Sequence, residues 1–223
     1  GMLAAARTGM PLFWRTVVLR LVFVAAAAVA ARLGSQDLAA WHVSFQVWML
    51  LALAADALAI AGMALLGRYL GSADVQGARA VTRELLRLGG VMGVILGLGL
   101  AAIAPWLPAL FAGDPGVRSL VSGALMVAAL QQPIAVIVFV LDGVLIGAGD
   151  GRWLAGAGTV MLLAFLPAAG LVLAHQLGLV ALWWALTWFM VVRCALLAWR
   201  ARSGVWLRVS NLEGQVAAEG AAP

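Results

Sequence analysis

Six apolar runs alternate along this chain with short clusters of glycine, aspartate and arginine. A membrane-spanning helix needs about 20 predominantly apolar residues, and the runs cover approximately 13–32, 39–66, 86–110, 118–147, 153–174 and 177–199. They are separated by LGSQD (33–37), GRYLGSADVQGAR (67–79), FAGDPG (111–116), GAGDGR (147–152) and a tight HQLG (175–178). From Leu171 to Val192 the chain is apolar almost throughout, so the turn at Gly178 must divide two helices there. The pattern predicts an all-α polytopic membrane protein whose residues 1–202 form one six-helix transmembrane unit. Residues 203–223, polar and rich in small side chains, are expected to form a disordered cytoplasmic tail.

Six spans return both chain ends to the same side, and arginine placement says which side. Arg7, Arg15, Arg68, Arg79, Arg83, Arg87, Arg152, Arg200, Arg202 and Arg208 fall at one set of helix ends, Arg32 and Arg118 at the other. Ten against two predicts a multi-pass protein with both termini cytoplasmic.

Composition sharpens this picture. Of 223 residues, 65% are hydrophobic and 10% charged, against about 25% charged in soluble domains; mean hydropathy is +1.07. A net charge of +5 does not imply nucleic acid, because the fourteen basic residues, all arginine, sit between apolar runs and form no single stripe. The single Cys194 allows no internal disulfide or cysteine metal cluster and reads as a small buried helix residue. The chain opens Gly1-Met2 without a signal-peptide pattern, as expected for an added residue or for a piece of something longer.

Within the third run, Gly89, Gly93 and Gly97 recur every fourth residue and put small side chains on one helix face, which predicts close helix packing. Pro133 and Pro167 lie inside the fourth and fifth runs, where each removes a backbone donor. Gln131 and Gln132, just before Pro133, either satisfy the carbonyls the proline frees or, with Pro133, line a cavity. His42 and Gln46, at i and i+4 near the outer end of the second run, form an interfacial polar face.

Leaving aside the arginines at the ends of the runs, four charges lie inside them: Arg20, Asp56, Asp142 and Arg193. Each costs at least ~2.5 kcal/mol near the bilayer centre, so such residues face a partner or a cavity and mark ion or substrate paths. Counted from Asp150, Arg15 and Arg200, the residues Asp142, Arg20 and Arg193 lie roughly 8 to 12 Å inside one membrane face. That depth allows Asp142 to pair with Arg20 or Arg193. Asp56, twelve residues from Arg68, is about 18 Å deep, buried with no arginine at its own level. Asp56 and Asp142 are therefore the candidate ion-coupling acids, Asp56 being the better candidate for a carboxyl that binds and releases a proton, and Arg20 and Arg193 are their charge partners. No phosphate loop, HExxH, GxSxG or paired-cysteine spacing occurs, so the chain does not read as an enzyme and no cofactor is expected.

The stretches FWRTVVLRLVF (13–23), DALAIAGMALLGRYLGSADVQGAR (56–79), LFAGDPGV (110–117), QPIAVIVFVLDGVLIGAGDGRWLA (132–155) and GLVALWWALTWFMVVR (178–193) resemble the second half of a MATE (multidrug and toxic compound extrusion) transporter of the DinF-like branch. The resemblance implies one six-helix lobe of a two-lobe exporter that moves organic cations or other small xenobiotics out in exchange for H+ or Na+. It implies a missing N-terminal lobe, or a second copy of this one, as partner. Trp41 and His42 stand where relatives carry a His-Gln pair, and Met63 where glutamine is usual. The aspartate most often tied to proton coupling in DinF-like relatives lies in the absent lobe, so Asp56 and Asp142 are candidates from depth and burial alone. The alternatives are a lipid-linked oligosaccharide flippase, which would need a wide arginine-rich cavity, and a non-transporting remnant or assembly factor.

Overall fold

The computed structural model describes residues 2–207, with side chains from position 9 onward. They form α1 (Met2–Leu33), α2 (Ser35–Gly71), α3 (Val75–Ile103), the single turn α4 (Pro108–Phe111), α5 (Pro115–Gly147), α6 (Gly151–Ala174) and α7 (Gly178–Ser203). All but α4 are long and apolar enough to cross a membrane, as the periodic breaks predict.

The differences from expectation lie at the helix ends. Most of the predicted 67–79 loop is helical: α2 continues to Gly71 and α3 resumes at Val75. Asp74 makes so short a turn possible by accepting the Gly77 N–H at 2.8 Å, which caps α3. At 37 residues, α2 is about 55 Å long and outreaches a hydrocarbon core of about 30 Å. The third span ends at Ile103, not at 110, because Pro105 and Pro108 lack the N–H groups that would continue the ladder. The tail expected from 203 onward also starts later. Gly204 takes a left-handed φ of 67°, and Trp206 and Leu207 fold back, 2% and 5% exposed. Trp206 Nε1 donates to the Ala201 carbonyl at 2.8 Å. Positions 208–223 lie outside the described residues.

Helix α5 is the axis of the bundle, packed against α2, α3 and α7; α6 bridges α7 to α1. Glycines set how closely its neighbours approach. On α3, a Cβ at Gly93 would sit 2.7 Å from Pro133 Cα, and one at Gly97 2.7 Å from the Ala129 carbonyl oxygen. Ala129 is four residues before Pro133 and so carries the carbonyl whose partner the proline removes. It faces a bare glycine backbone, not a glutamine side chain. The stripe of Gly89, Gly93 and Gly97 is therefore a packing surface, as expected. A second stripe, Gly143 and Gly147 on α5, lets α2 approach until a Cβ at Gly147 would stand 2.7 Å from the Met63 carbonyl. A Cβ at Gly143 would collide with the Ala59 carbonyl. Gly143→Val should therefore push α2 away and destabilise the bundle by about 1–3 kcal/mol. Thermal melting in detergent checks this, with Gly156→Val, where nothing lies within 4 Å, as control; equal melting of the two variants would remove the packing argument.

Candidate functional site

The packing order leaves α1 and α2 apart along part of their length, and the gap is a cavity of about 360 Å³ walled by α1, α2, α5 and α7. Its wall is mostly apolar, including Phe23, Phe45, Trp48 and Phe139, yet it holds five charged side chains: Arg15, Arg20, Asp56, Asp142 and Arg193. On α5 the helical repeat places Phe139, Asp142, Gly143 and Ile146 on one arc facing the gap. Asp142 is 5% exposed and holds two guanidinium groups. Arg15 Nη2 lies 2.8 Å from its Oδ2, and Arg193 Nη2 donates to the same oxygen. Arg193 is itself 5% exposed, with its guanidinium 5.8 Å from the Phe139 ring centroid.

The pairing of Asp142 with Arg193 is as expected, but Arg20 is not a partner. It is exposed and contributes its charge to the cavity wall. The second partner is Arg15, which from sequence serves only as a marker of the membrane edge. Helix α1 begins well before position 13, so Arg15 lies inside the helix, five residues below Arg20. That spacing, with two arginines on one amphiphilic run, was the available signal.

Asp56 also departs from expectation. It is exposed, not buried, in the cavity wall. Contacts of Gly143 with Ala59 and of Gly147 with Met63 fix α2 and α5 in parallel register. Asp56 is therefore about two residues, ~3 Å, from the level of Asp142. Arg68 is a poor depth gauge because α2 outruns the bilayer. Asp56 and Arg20 make no ion pair among the described residues.

Gln131, Gln132 and Pro133 do not line this cavity. Gln131 Oε1 accepts from Thr187 Oγ1 at 3.3 Å beside a small apolar pocket with Trp183 and Met190. Gln132 is 2% exposed and its Nε2 has no hydrogen-bond partner among the described residues. Pro133 faces an apolar groove with Val94 and Gly97. His42 and Gln46 are both exposed on α2.

Two polar clamps outside the cavity hold the helix ends. Asp150, 4% exposed, takes Arg200 Nε at 2.6 Å and Nη2 at 3.1 Å, tying the α5–α6 turn to α7. Asp37 on α2 accepts the Leu179 N–H at 2.8 Å, capping α7 across the bundle.

Six helices long and apolar enough to cross a membrane, four of which wall a charged cavity, define a multi-pass integral membrane protein. Residues 11–171 match the MatE family model, and the chain belongs to the MATE family. It is 35% identical over 198 residues to Protein DETOXIFICATION 42 of Arabidopsis thaliana, covering 89% of this chain and 38% of that protein. It is 29% identical over 202 residues to DNA damage-inducible protein F of Escherichia coli (strain K12), covering 86% and 42%, in line with the DinF-like resemblance. Among solved structures, an outward-facing multidrug resistance MATE family transporter of the MOP superfamily superposes with a TM-score of 0.81 at 24% identity, over 87% of this chain and 43% of that one. A MOP superfamily transporter from Pyrococcus furiosus gives 0.80 at 24% identity, over 87% and 43%. These two likenesses establish the fold. The chain spans less than half the length of the curated relatives it matches.

Proposed function

We propose that this chain supplies the second lobe of an ion-coupled efflux antiporter, which exports small toxic compounds by rocking of two lobes about a central cavity. Its partner is a first six-helix lobe or a second copy in that place, its coupling ion H+ or Na+, and its site the bacterial inner membrane with both termini cytoplasmic. The observation that carries this reading is the charged cavity between α1 and α2, whose Asp56 is exposed and makes no ion pair among the described residues. Intramembrane acids exposed to a cavity mark ion paths. Asp142, held by Arg15 and Arg193, is assigned to structure, and Asp56 to coupling.

One observation favours a second reading of the cargo. Three arginines face two aspartates in this cavity, a formal surplus of one positive charge that disfavours an organic cation and suits an organic anion or a phosphate-linked lipid saccharide. The Pyrococcus furiosus transporter is described as having a binding pocket of reverse polarity, and the sign of the cavity here runs against organic-cation cargo.

The test is uptake into inverted vesicles from an exporter-deficient host that expresses this chain in one reading frame with its first lobe. Cationic and anionic dyes are offered separately, with and without imposed proton or sodium gradients. Gradient-dependent accumulation of either dye supports the antiporter, and the dye's sign decides the cargo class. Accumulation of neither, with the protein folded in the membrane, would leave the remnant or assembly-factor reading.

A further inference from the structure

The face of α5 opposite the charged cavity carries a second, larger opening of about 570 Å³, walled by α3 and α7 with α5 as its floor. At about 100° per residue, Ile137 and Leu141 point away from the arc of Phe139, Asp142 and Ile146. The two openings are therefore separated by the thickness of α5. The groove has a polarity gradient along the bundle. Its lower part is apolar, with Leu86 on α3, Ile137 and Leu141 on α5, and Ala198 on α7. Its upper rim carries Arg79, Arg83 and Arg202, all exposed. Among the described residues no acidic side chain lines it, and none of the three arginines makes an ion pair. The nearest acid on α3, Glu84, is engaged by Arg87 at 3.4 Å.

From Arg79 to Leu86 along α3, and from Arg202 to Cys194 along α7, the drop is about 10–12 Å, the step from the headgroup layer into the upper acyl chains. Trp206 marks the same level. It is 2% exposed, pinned to the Ala201 carbonyl, and closes the rim beside Gly204, where a Cβ would lie 3.5 Å from Arg79 Nη2. Tryptophan collects at this membrane layer.

We propose that this groove binds one anionic phospholipid, its phosphate held by Arg79, Arg83 and Arg202 and its acyl chain lying against Leu86, Ile137 and Leu141. Basic pockets between membrane helices recognise anionic headgroups in this way. A lipid accounts for both the arginine rim and the apolar floor. The proposal rests on the chain's crossing the membrane and is independent of transport.

The test is native mass spectrometry of the full chain released from nanodiscs of equal dioleoylphosphatidylglycerol and dioleoylphosphatidylcholine. Retained lipid should favour phosphatidylglycerol by about five- to tenfold. The variant Arg79→Gln/Arg83→Gln/Arg202→Gln should bring the ratio back to about one, while Arg68→Gln/Arg152→Gln, two exposed arginines outside the groove, should keep the preference. A wild-type ratio near one overturns the proposal. So does an equal loss in the control variant, which would mean diffuse surface charge. Inorganic phosphate that binds the chain without lipid and abolishes the preference would mean a free-anion site and would equally overturn it.

Discussion

Replacing Asp142 with alanine is expected to destabilise the lobe by about 3–5 kcal/mol, because it leaves two guanidinium groups in the interior without their shared counter-charge. Arg193 bears most of this, being 5% exposed with Asp142 as its ion-pair partner. Arg15 has a side chain 16% exposed and can turn toward the open cavity. Arg15→Gln should therefore cost much less than Arg193→Gln. Asp142→Leu/Arg193→Met should recover most of the loss of Asp142→Ala, since removing both members of a buried pair is often close to neutral. Thermal melting of the four variants in one detergent measures all of this. A double variant no more stable than Asp142→Ala would mean that the aspartate holds something other than the arginine.

How much of this was readable from sequence depended on whether a feature was local. The six spans follow from hydrophobic run length, which a bilayer imposes on each helix separately. The Gly89, Gly93 and Gly97 stripe was legible for the same reason, since its four-residue period is a property of one helix. The equivalent role of Gly143 and Gly147 was hidden by the conspicuous Asp142 beside them. Pairing across helices was only half legible. Depth counting brought Arg193 to Asp142, but the count for α2 started from Arg68, on a helix that extends past the membrane. Asp56 was consequently placed too deep. Exposure was the least legible quantity: an aspartate inside an apolar run implies burial only if the helix is surrounded, and α1 and α2 are not. The glutamines before Pro133 illustrate a further limit. The carbonyl released by that proline is met by Gly97 of another helix, a solution that no local pattern encodes.

In the two-lobe antiporter proposed above, Asp56→Asn should reduce gradient-driven transport at least about tenfold, while Asp56→Glu keeps it in part. The two acids of the cavity differ in what their protonation would break. Asp142 is paired with both Arg15 and Arg193, so neutralising it would strand two guanidinium groups at a cost of several kcal/mol. Protonating Asp56 breaks no ion pair among the described residues, yet it removes one negative charge from a wall that also holds Arg20. Moving that single charge raises the formal surplus of the cavity from one positive charge to two, enough to bias which of two lobe arrangements is favoured and how strongly a charged cargo is held. Asparagine has nearly the same shape but one fixed charge state, so the variant should bind cargo and exchange it across the membrane at equilibrium while failing to concentrate it. Counterflow and gradient-driven uptake, measured on the same vesicles, separate these outcomes. Loss of both would point to damage to the fold, and full retention of uptake against a gradient would move the coupling site out of this lobe.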